Sequence, residues 1–501
     1  MKRVGIVVIL FFFFLQSCKT LSTQRQPYIV AKKSATALKQ DLILLRKILE
    51  ANHPGLYWYT PKDSMDLFFD QSIISITDSL DEVQFKNKVA WLVSKIRCGH
   101  TTVFFSKAYT KNAVQFRFPS FPLYLKAWGD SLVVLANLNQ RDPIFKRGTI
   151  VTGINGRTNR QVLDTLFQFI SSDGYAFNYK NQVVSGNFPI WYKTILGVDS
   201  SYTISYIDST GQEASATVGN YKPVVDTTRR TRPQSPQPRV KLPNRRELRK
   251  ARLLAKRELR IDSSSNTAIM RLATFSNGGL RGFFRRSFRT IKQKNIPHLV
   301  IDMRENGGGK VASSILLAKY LSDHPFKVGD SVVATSREFK YSHYINPSLV
   351  YWFAMNFGAR KMADGSIHYR RYETKLFQPK ERLHYSGQVT LLQGGYSFSA
   401  TTMFISTLKG QKNITVAGEE SGGGYYGNSA MYIPTITLPR SKLRISLPMY
   451  RLVMGSTRPR GHGIIPDLEI PPSSDAIRKG IDPKMQKIME MIQHNAFKPG
   501  L

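Results

Sequence analysis

Two stretches of this sequence decide its fold: HLVIDMRENGGG, His298–Gly309, and LLQGGYSFSATTMF, Leu391–Phe404. Each begins with an apolar run and continues through a glycine-rich turn into helical spacing, which predicts a buried strand, a turn and a helix. From Asn266 onward such strand and helix patterns alternate. Alternation of this kind predicts βαβ units and a largely parallel sheet. We therefore expect an α/β core in a multi-domain chain of 501 residues.

The rest of the chain divides by pattern into further segments. Apolar residues at helical spacing predict an N-terminal helical cap over 34–105. Residues 118–220 change to short strands, and PIFKRGTIVTGINGRTNRQVLDTL, Pro143–Leu166, resembles the strand, turn and helix of a PDZ domain. A small β-rich spacer is the alternative to this PDZ-like module. Residues 221–261 predict a basic linker rich in Pro and Arg, 262–475 the α/β core, and 476–501 a C-terminal helix.

The N-terminus resembles an export signal. A basic start and an apolar run end in Leu15-Gln16-Ser17-Cys18, which is similar to the cleavage box of bacterial lipoproteins. This predicts a signal peptide over 1–17, lipidation of Cys18 and a tether over 18–33, in a protein exported across the inner membrane and lipid-anchored in the cell envelope, periplasmic or associated with the outer membrane. A plain secretory signal is the alternative. With Cys98 as the second of two cysteines, we expect no disulfide.

The chain is strongly basic, with 72 Lys and Arg against 34 Asp and Glu and a formal charge of +38. Such a charge fits nucleic acid, but an exported lipoprotein meets little of it and the sequence contains no nucleic-acid-binding module. We therefore expect no nucleic-acid partner. An anionic envelope surface is a better candidate partner, and solvated basic side chains without a partner are the simpler interpretation.

Ser399 is the first candidate for chemistry. It follows the predicted strand and precedes a predicted helix, at the sheet edge where α/β proteins place their sites. Backbone N–H groups of Gly307, Gly308 and Ala400 could stabilise an oxyanion there. An ordinary helix N-cap is the alternative role for Ser399, and Ser397 is a nearby competitor as nucleophile.

The two stretches together resemble the tail-specific, or C-terminal processing, serine protease family, which includes the tricorn core protease. The resemblance rests on D-x-R-x-N-x-G-G from Asp302, the Ser399-Ala400 pair, and GHGIIPDLEI, Gly461–Ile470. It implies that Ser399 is the nucleophile, that Ala400 and the Gly307–Gly308 turn form the oxyanion hole, and that the substrate is a polypeptide. The PDZ-like module could bind that polypeptide by its C-terminus.

The candidate general base differs from that of the better-known branch of this family, which uses a lysine after a G-E-P-T-x-G-K segment. The corresponding AGEESGGGYYGN, Ala417–Asn428, has no lysine. Cys98-Gly99-His100-Thr101 resembles the G-H-T segment of the tricorn-like branch, which implies His100 as general base, with a structural histidine as the alternative. Glu419 is the predicted third catalytic residue, and Glu420 and Asp467 stay open as alternatives.

These observations predict a serine endopeptidase of the tail-specific type that works through an acyl-enzyme on Ser399. His462 is expected to shape the rim of the site. The scattered histidines form no ligand pair, so we expect no metal site and no cofactor. A non-catalytic protein that binds peptides or apolar ligands on the same fold is the alternative, because a fold does not determine a function. A weaker alternative is an adaptor protein that binds the cell envelope through the basic linker.

Overall fold

The computed structural model describes residues 31–113, 119–223 and 243–494. The predicted signal peptide, the lipidation site Cys18, most of the tether and residues 224–242 of the predicted linker lie outside the described residues. None of the helices in the described ranges is both long enough and apolar enough to cross a membrane.

The N-terminal helical cap is built from four helices and a short strand. Ser34 caps the first helix by accepting from the Ala37 N–H, and Asp81 begins the third with a reciprocal capping box to Gln84. The elements are α1 (Ala35–Asn52), α2 (Lys62–Ile74), α3 (Glu82–Ser94), β1 (Val103–Phe104) and α4 (Lys107–Ala113). His100 lies in the loop between α3 and β1, so the cap carries one candidate catalytic residue.

A β-rich module follows, with a hydrophobic core of its own. Its strands are β2 (Leu123–Trp128), β3 (Ser131–Asn137), β4 (Ile150–Ile154), β5 (Arg157–Thr158), β6 (Ser201–Ile207) and β7 (Glu213–Gly219). Its helices are α5 (Asn159–Phe167), α6 (Phe177–Gly186) and α7 (Phe188–Leu196). The strands pair antiparallel in the order β2-β3-β4-β6-β7, with β5 on β4. Pro143–Leu166 contains a strand, a turn and a helix as its pattern indicates, and its identity as a PDZ-like module stays a prediction.

The remainder of the chain forms the core, which holds the candidate nucleophile. Its strands are β8 (Arg257–Asp262), β9 (Thr267–Leu272), β10 (His298–Asp302), β11 (Ser331–Ala334), β12 (Ile345–Asn346), β13 (Arg360–Lys361), β14 (Ile367–His368), β15 (Gln388–Gln393), β16 (Ile414–Gly418), β17 (Gly427–Ala430), β18 (Thr435–Thr437), β19 (Arg444–Ser446), β20 (Tyr450–Val453) and β21 (Leu468–Glu469). Its helices are α8 (Arg245–Leu254), α9 (Leu280–Gln293), α10 (Val311–Ala318), α11 (Ser348–Gly358), α12 (Arg370–Thr374), α13 (Ala400–Leu408), α14 (Ser474–Lys479) and α15 (Pro483–Gln493), with a 3₁₀ turn at Ser342–Tyr344.

The central sheet has the strand order β21-β16-β15-β10-β9-β8. Every neighbouring pair is parallel except β8 with β9. The predicted multi-domain α/β fold with a largely parallel sheet is therefore confirmed. Asp302 at the end of β10 lies opposite Leu392 of β15, so the turns that follow these two strands meet at one edge of the sheet.

Two further sheets attach to this core. One has the order β13-β14-β11-β20-β17, and the other, β1-β19-β18-β12, includes a strand of the cap. The buried carboxylate of Asp41 in α1 also accepts from the Arg440 and Ser441 N–H groups, at 3.1 and 2.7 Å. These contacts position the cap, and therefore His100, against the core.

The structure differs from the predicted boundaries at two places. Part of the predicted linker forms α8 and β8, and all six residues of Arg257–Asp262 pair antiparallel with β9 and extend the central sheet. The predicted C-terminal helix is divided into α14 and α15 at Gly480, whose φ of 69° ends the first helix. Ile488 and Ile492 of α15 pack on the sheet residues Val300 and Leu392.

Candidate active site

Ser399 sits on a sharp turn between β15 and α13. Its φ of 57° and ψ of −122° lie in a region that residues other than glycine seldom occupy. The serine is partly exposed, and its side chain makes no capping hydrogen bond to α13. The N-cap alternative is therefore not realised, and the strained turn presents a hydroxyl at the mouth of a helix, as nucleophile turns of α/β hydrolases do.

Ser397 has a different environment. It is fully buried, its Oγ donates to the Met303 carbonyl at 2.9 Å, and it accepts from the Gly394 N–H at 3.1 Å. These bonds link the turn after β15 to the turn after β10. Ser397 therefore braces the site, and its hydroxyl is not available for attack.

The glycine turn lies directly against Ser399. A Cβ on Gly308, where φ is 98°, would lie 2.8 Å from Ser399 Cβ and 3.0 Å from the Ala400 nitrogen. The Phe398 N–H donates to the Asn306 carbonyl at 3.2 Å. Among the described residues, the N–H groups of Gly307 and Ala400 have no hydrogen-bond partner. The Gly308 N–H, in contrast, donates to Asn306 Oδ1 at 2.9 Å, so this predicted oxyanion donor is already engaged.

His100 reaches the site from the cap. Its ring packs on Phe398, the neighbour of Ser399, with 4.7 Å between ring centroids, and its carbonyl accepts from Ser446 Oγ at 2.6 Å. Both ring nitrogens are buried and have no hydrogen-bond partner in the described part of the chain. Burial lowers the pKa of His100 to about 4. The imidazole is therefore neutral at physiological pH, which is the form a general base requires.

Asp173 is a site residue that the sequence analysis missed. It lies between α5 and α6 of the β-rich module and is 1% exposed. A carboxylate oxygen of Asp173, a ring nitrogen of His100 and Cys98 Sγ all lie within 4.8 Å of one another. Asp173 accepts from the Gly99 N–H at 2.8 Å and from the Gly424 N–H at 3.3 Å. Burial raises the pKa of Asp173 to about 7, and the two N–H groups oppose this shift.

Three carboxylates predicted as candidates for the third residue are held by other partners. Glu419 forms an ion pair with Lys484, and both side chains are nearly buried. Glu420 Oε1 accepts from the Gly463 N–H at 2.7 Å. Asp467 accepts from the Val416 N–H at 2.8 Å and pairs with Lys409. The catalytic role of Glu419 stays a prediction: its carboxylate pairs with Lys484, and the carboxylate beside His100 is that of Asp173.

Two other residues, His462 and Cys98, lie near the site in different surroundings. His462 is exposed, and its ring lies 6.4 Å from that of Tyr175 between centroids. Cys98 is buried and donates from Sγ to the Ser429 carbonyl at 3.6 Å. Burial raises the pKa of the Cys98 thiol to about 12. Cysteine, histidine and aspartate are metal-ligand types, and in this cluster the Asp173 carboxylate accepts two backbone N–H groups.

A cleft of about 590 Å³ extends from the turn after β15 between the β-rich module and the core. Lys126 of β2 and Gln182 of α6 line one wall, and Gly394, Tyr396 and Glu419 line the other. Lys126 donates to Gln182 Oε1 at 2.6 Å, and burial lowers its pKa to about 8. The cleft reaches the turn that precedes Ser399 at Gly394–Tyr396, and Ser399 is not among its lining residues.

The comparisons with known proteins agree with this geometry. The chain resembles mature CPAF, with 14% identity and a TM-score of 0.62 over 93% of this chain and 99% of that chain. It also resembles mature CPAF complexed with lactacystin, with 14% identity and a TM-score of 0.61 over 92% and 98%, and a serine-to-alanine mutant of CPAF, with 13% identity and a TM-score of 0.64 over 93% and 99%. At such identities these likenesses establish the fold.

No curated protein is significantly similar to the chain in sequence. Residues 266–470 match the family model of peptidase family S41. The matched range contains both decisive stretches, the Gly307–Gly309 turn and Ser399 among them. This confirms the resemblance to tail-specific proteases that the motifs indicated, since the α/β core of the chain, residues 266–470, is similar to peptidase family S41.

Proposed function

We propose that this chain is a serine endopeptidase of the tail-specific type, with Ser399 as nucleophile and His100 as general base. One observation carries the proposal: a strained, uncapped serine at a strand-to-helix turn lies beside Phe398, on which the ring of His100 packs. Neither an N-cap nor a structural hydroxyl needs this conformation, whereas a nucleophile benefits from it because the hydroxyl is held away from the helix backbone.

The reaction follows from these positions. His100 takes the proton of Ser399 as Oγ attacks the peptide carbonyl carbon, and the carbonyl oxygen becomes an oxyanion. The unpaired N–H groups of Ala400 and Gly307 stabilise that oxyanion. His100 then protonates the departing amine, which leaves an acyl-enzyme on Ser399. Water, deprotonated by His100, attacks the acyl carbon, and His100 returns this proton to Ser399 Oγ as the acyl–oxygen bond breaks and the carboxylic acid leaves. The Gly308 N–H joins the hole when its bond to Asn306 opens.

We assign the third role to Asp173 in place of Glu419. An ionised carboxylate next to the imidazole stabilises the imidazolium that forms when His100 accepts a proton. The Gly99 and Gly424 N–H groups hold this carboxylate in position. The ring nitrogens of His100 have no hydrogen bond within the described chain, and catalytic hydrogen bonds often tighten only in the substrate complex. Substrate binding therefore completes the relay in this proposal.

The other modules have proposed roles as well. The PDZ-like module captures the C-terminus of a polypeptide, and the cleft beside Lys126 leads the chain to Ser399; support comes from the position of this cleft between module and core. Lipidation of Cys18 would hold the exported protein at the cell envelope, and the sequence at the end of the apolar run supports this.

The test is labelling of the purified protein with a fluorophosphonate serine probe, followed by mass-spectrometric identification of the labelled residue. We expect the adduct on Ser399, and loss of labelling in Ser399→Ala and His100→Asn. The matched control is His462→Asn, a second histidine near the site with no role in proton transfer, which should label at the wild-type rate. An adduct on another residue, or equal loss in His462→Asn, would contradict the assignment. A folded wild-type protein that stays unlabelled with and without added peptide would favour the non-catalytic binding protein.

A further inference from the structure

A second large cavity, of about 950 Å³, lies beside the Gly307–Gly309 turn, with Ser276 and Lys310 among its lining residues. We call it the basic cavity. Five cationic side chains line it, with no acidic residue among the lining residues; they are Arg281, Arg285, Lys310, Lys319 and Lys380. The wall also contains the Ser276–Gly279 backbone. A concave site with charges of one sign attracts ligands of the opposite charge.

The charges of the basic cavity are not neutralised by the protein. None of the five cations forms an ion pair with a carboxylate of the described residues. Two helices also begin at the cavity, α9 after Gly279 and α10 after Lys310, and neither has a side-chain cap at its N-terminus. Unpaired N–H groups and the positive end of the helix dipole add to the positive potential. The cavity therefore favours an anion strongly.

The basic cavity is close to the candidate nucleophile. Gly308 touches Ser399, and its neighbour Gly309 is packed against Ser276 in the cavity wall. The Phe275 N–H donates to the Gly308 carbonyl at 2.8 Å, and Lys310, which follows the turn, lines the cavity itself. One turn of backbone thus separates the two sites. A bound chain that passes this turn could therefore place residues close to its reacting carbonyl at the cavity.

We propose that the basic cavity is a subsite for Asp and Glu side chains, and that the substrates of this protein carry an acidic segment close to the cleavage site. The inference deepens the proposed function and rests on it, since it names a substrate class for the same site. A polypeptide is favoured over a membrane surface because the ligand must enter a concave cavity whose wall includes the Gly278 and Gly279 backbone, where an extended chain can make main-chain hydrogen bonds.

The test uses the full-length chain with Ser399→Ala, so that binding is measured without cleavage and does not depend on whether the site is catalytic. The probes are two fluorescein-labelled decapeptides, one with four consecutive Glu at its centre and the other with four Gln at the same positions. Their binding is measured by fluorescence anisotropy at about 50 mM salt. We expect the Glu peptide to bind at least about tenfold more tightly than the Gln peptide, because its carboxylates would pair with several cations of the cavity at a salt concentration that screens them little. Arg281→Gln combined with Arg285→Gln should remove most of this preference.

The control replaces two exposed arginines of the same helix that do not line the cavity, Arg286→Gln with Arg289→Gln. This variant loses the same net charge and should keep the preference. An equal loss in both variants would overturn the proposal, because the preference would then come from the overall charge of the chain. Equal binding of the two peptides would overturn it too. If the cavity variant loses binding to phosphatidylglycerol vesicles while its peptide preference is unchanged, the cavity serves a lipid surface and the proposal is wrong. Fluorophosphonate labelling of Ser399 tests the proposed function separately.

Discussion

The contact between the glycine turn and the nucleophile can be tested with a matched pair of glycines. Gly308 and Gly410 have nearly the same backbone φ, 98° and 97°. A Cβ on Gly410 would meet no atom within 4 Å, whereas a Cβ on Gly308 would lie 2.8 Å from the Phe398 carbonyl oxygen and from Ser399 Cβ. Replacing each by alanine therefore places a side chain at the same positive φ in both variants, and only the alanine at position 308 pushes on Ser399.

The difference between the two variants follows from these distances. An alanine in this region of positive φ costs about 1–3 kcal/mol in the free energy of unfolding at either position. At Gly308 the added methyl also overlaps backbone atoms that cannot rotate away, and overpacking of this kind costs about 1–3 kcal/mol more. Because the overlap is relieved by moving Ser399, a displacement near 1 Å should also slow its reaction by about a hundredfold.

The assay compares the rate of fluorophosphonate labelling and the thermal unfolding midpoint of the two variants with those of the wild type. Gly410→Ala should unfold at a lower temperature but label at the wild-type rate. Gly308→Ala should unfold at a lower temperature still, and the folded protein should label slowly. Equal labelling rates and equal midpoints in the two variants would refute the claim that the Gly307–Gly309 turn is packed against Ser399.

Three other predictions concern the same site. Asp173→Asn should lower kcat/KM by about 10²–10⁴-fold. In the wild type the rate should rise as pH passes about 7, because Asp173 ionises in that range and the ionised carboxylate stabilises the imidazolium of His100; the variant should lack this rise in a pH profile from acid to alkaline. Glu419→Gln should leave the labelling rate within about threefold of wild type, because the carboxylate pairs with Lys484, and a loss comparable to that of Asp173→Asn would restore Glu419 as the third residue. Ser399→Gly should abolish labelling yet raise the thermal midpoint relative to Ser399→Ala, since glycine relieves about 1 kcal/mol or more of strain at φ 57°; equal midpoints would mean that the turn is unstrained.

Much of the fold was predictable because it depends on local patterns. Apolar runs such as Leu299–Ile301 and Val389–Leu392 specify strands that are buried on both faces, and their alternation with helices specifies a parallel sheet. The antiparallel sheets between β11 and β20 were not predicted. Their strands are mostly two to four residues long, and so short a segment carries no measurable periodicity. The sequence predicts a linker at β8 because the arginines of this strand obscure the alternation of apolar and polar residues that is typical of a half-buried edge strand.

The site was predictable only where a motif marks it. Ser399 and the glycine turn follow strands whose ends share one edge of the sheet, and the histidine stands in a recognisable short segment. Asp173 has no such marker, since it lies in a connection of the β-rich module and reaches the imidazole through tertiary packing. Glu419 is the predicted third residue because it matches the G-E position of the family segment, but the sequence does not reveal that Lys484 of α15 pairs with it.

The three parts of the proposed relay come from three parts of the fold, and this determines how the site is held together. Ser399 belongs to the core, His100 to the cap and Asp173 to the β-rich module. The Gly174 N–H donates to the Arg97 carbonyl at 2.9 Å, and the Tyr175 N–H to the Gly461 carbonyl at 2.7 Å, so the residues that follow Asp173 are bonded to both other parts. A small displacement of the β-rich module would break these bonds and withdraw the carboxylate from the imidazole. Because a proton relay tolerates little displacement, the activity proposed here depends on the placement of all three parts, and the core by itself holds a nucleophile without its base.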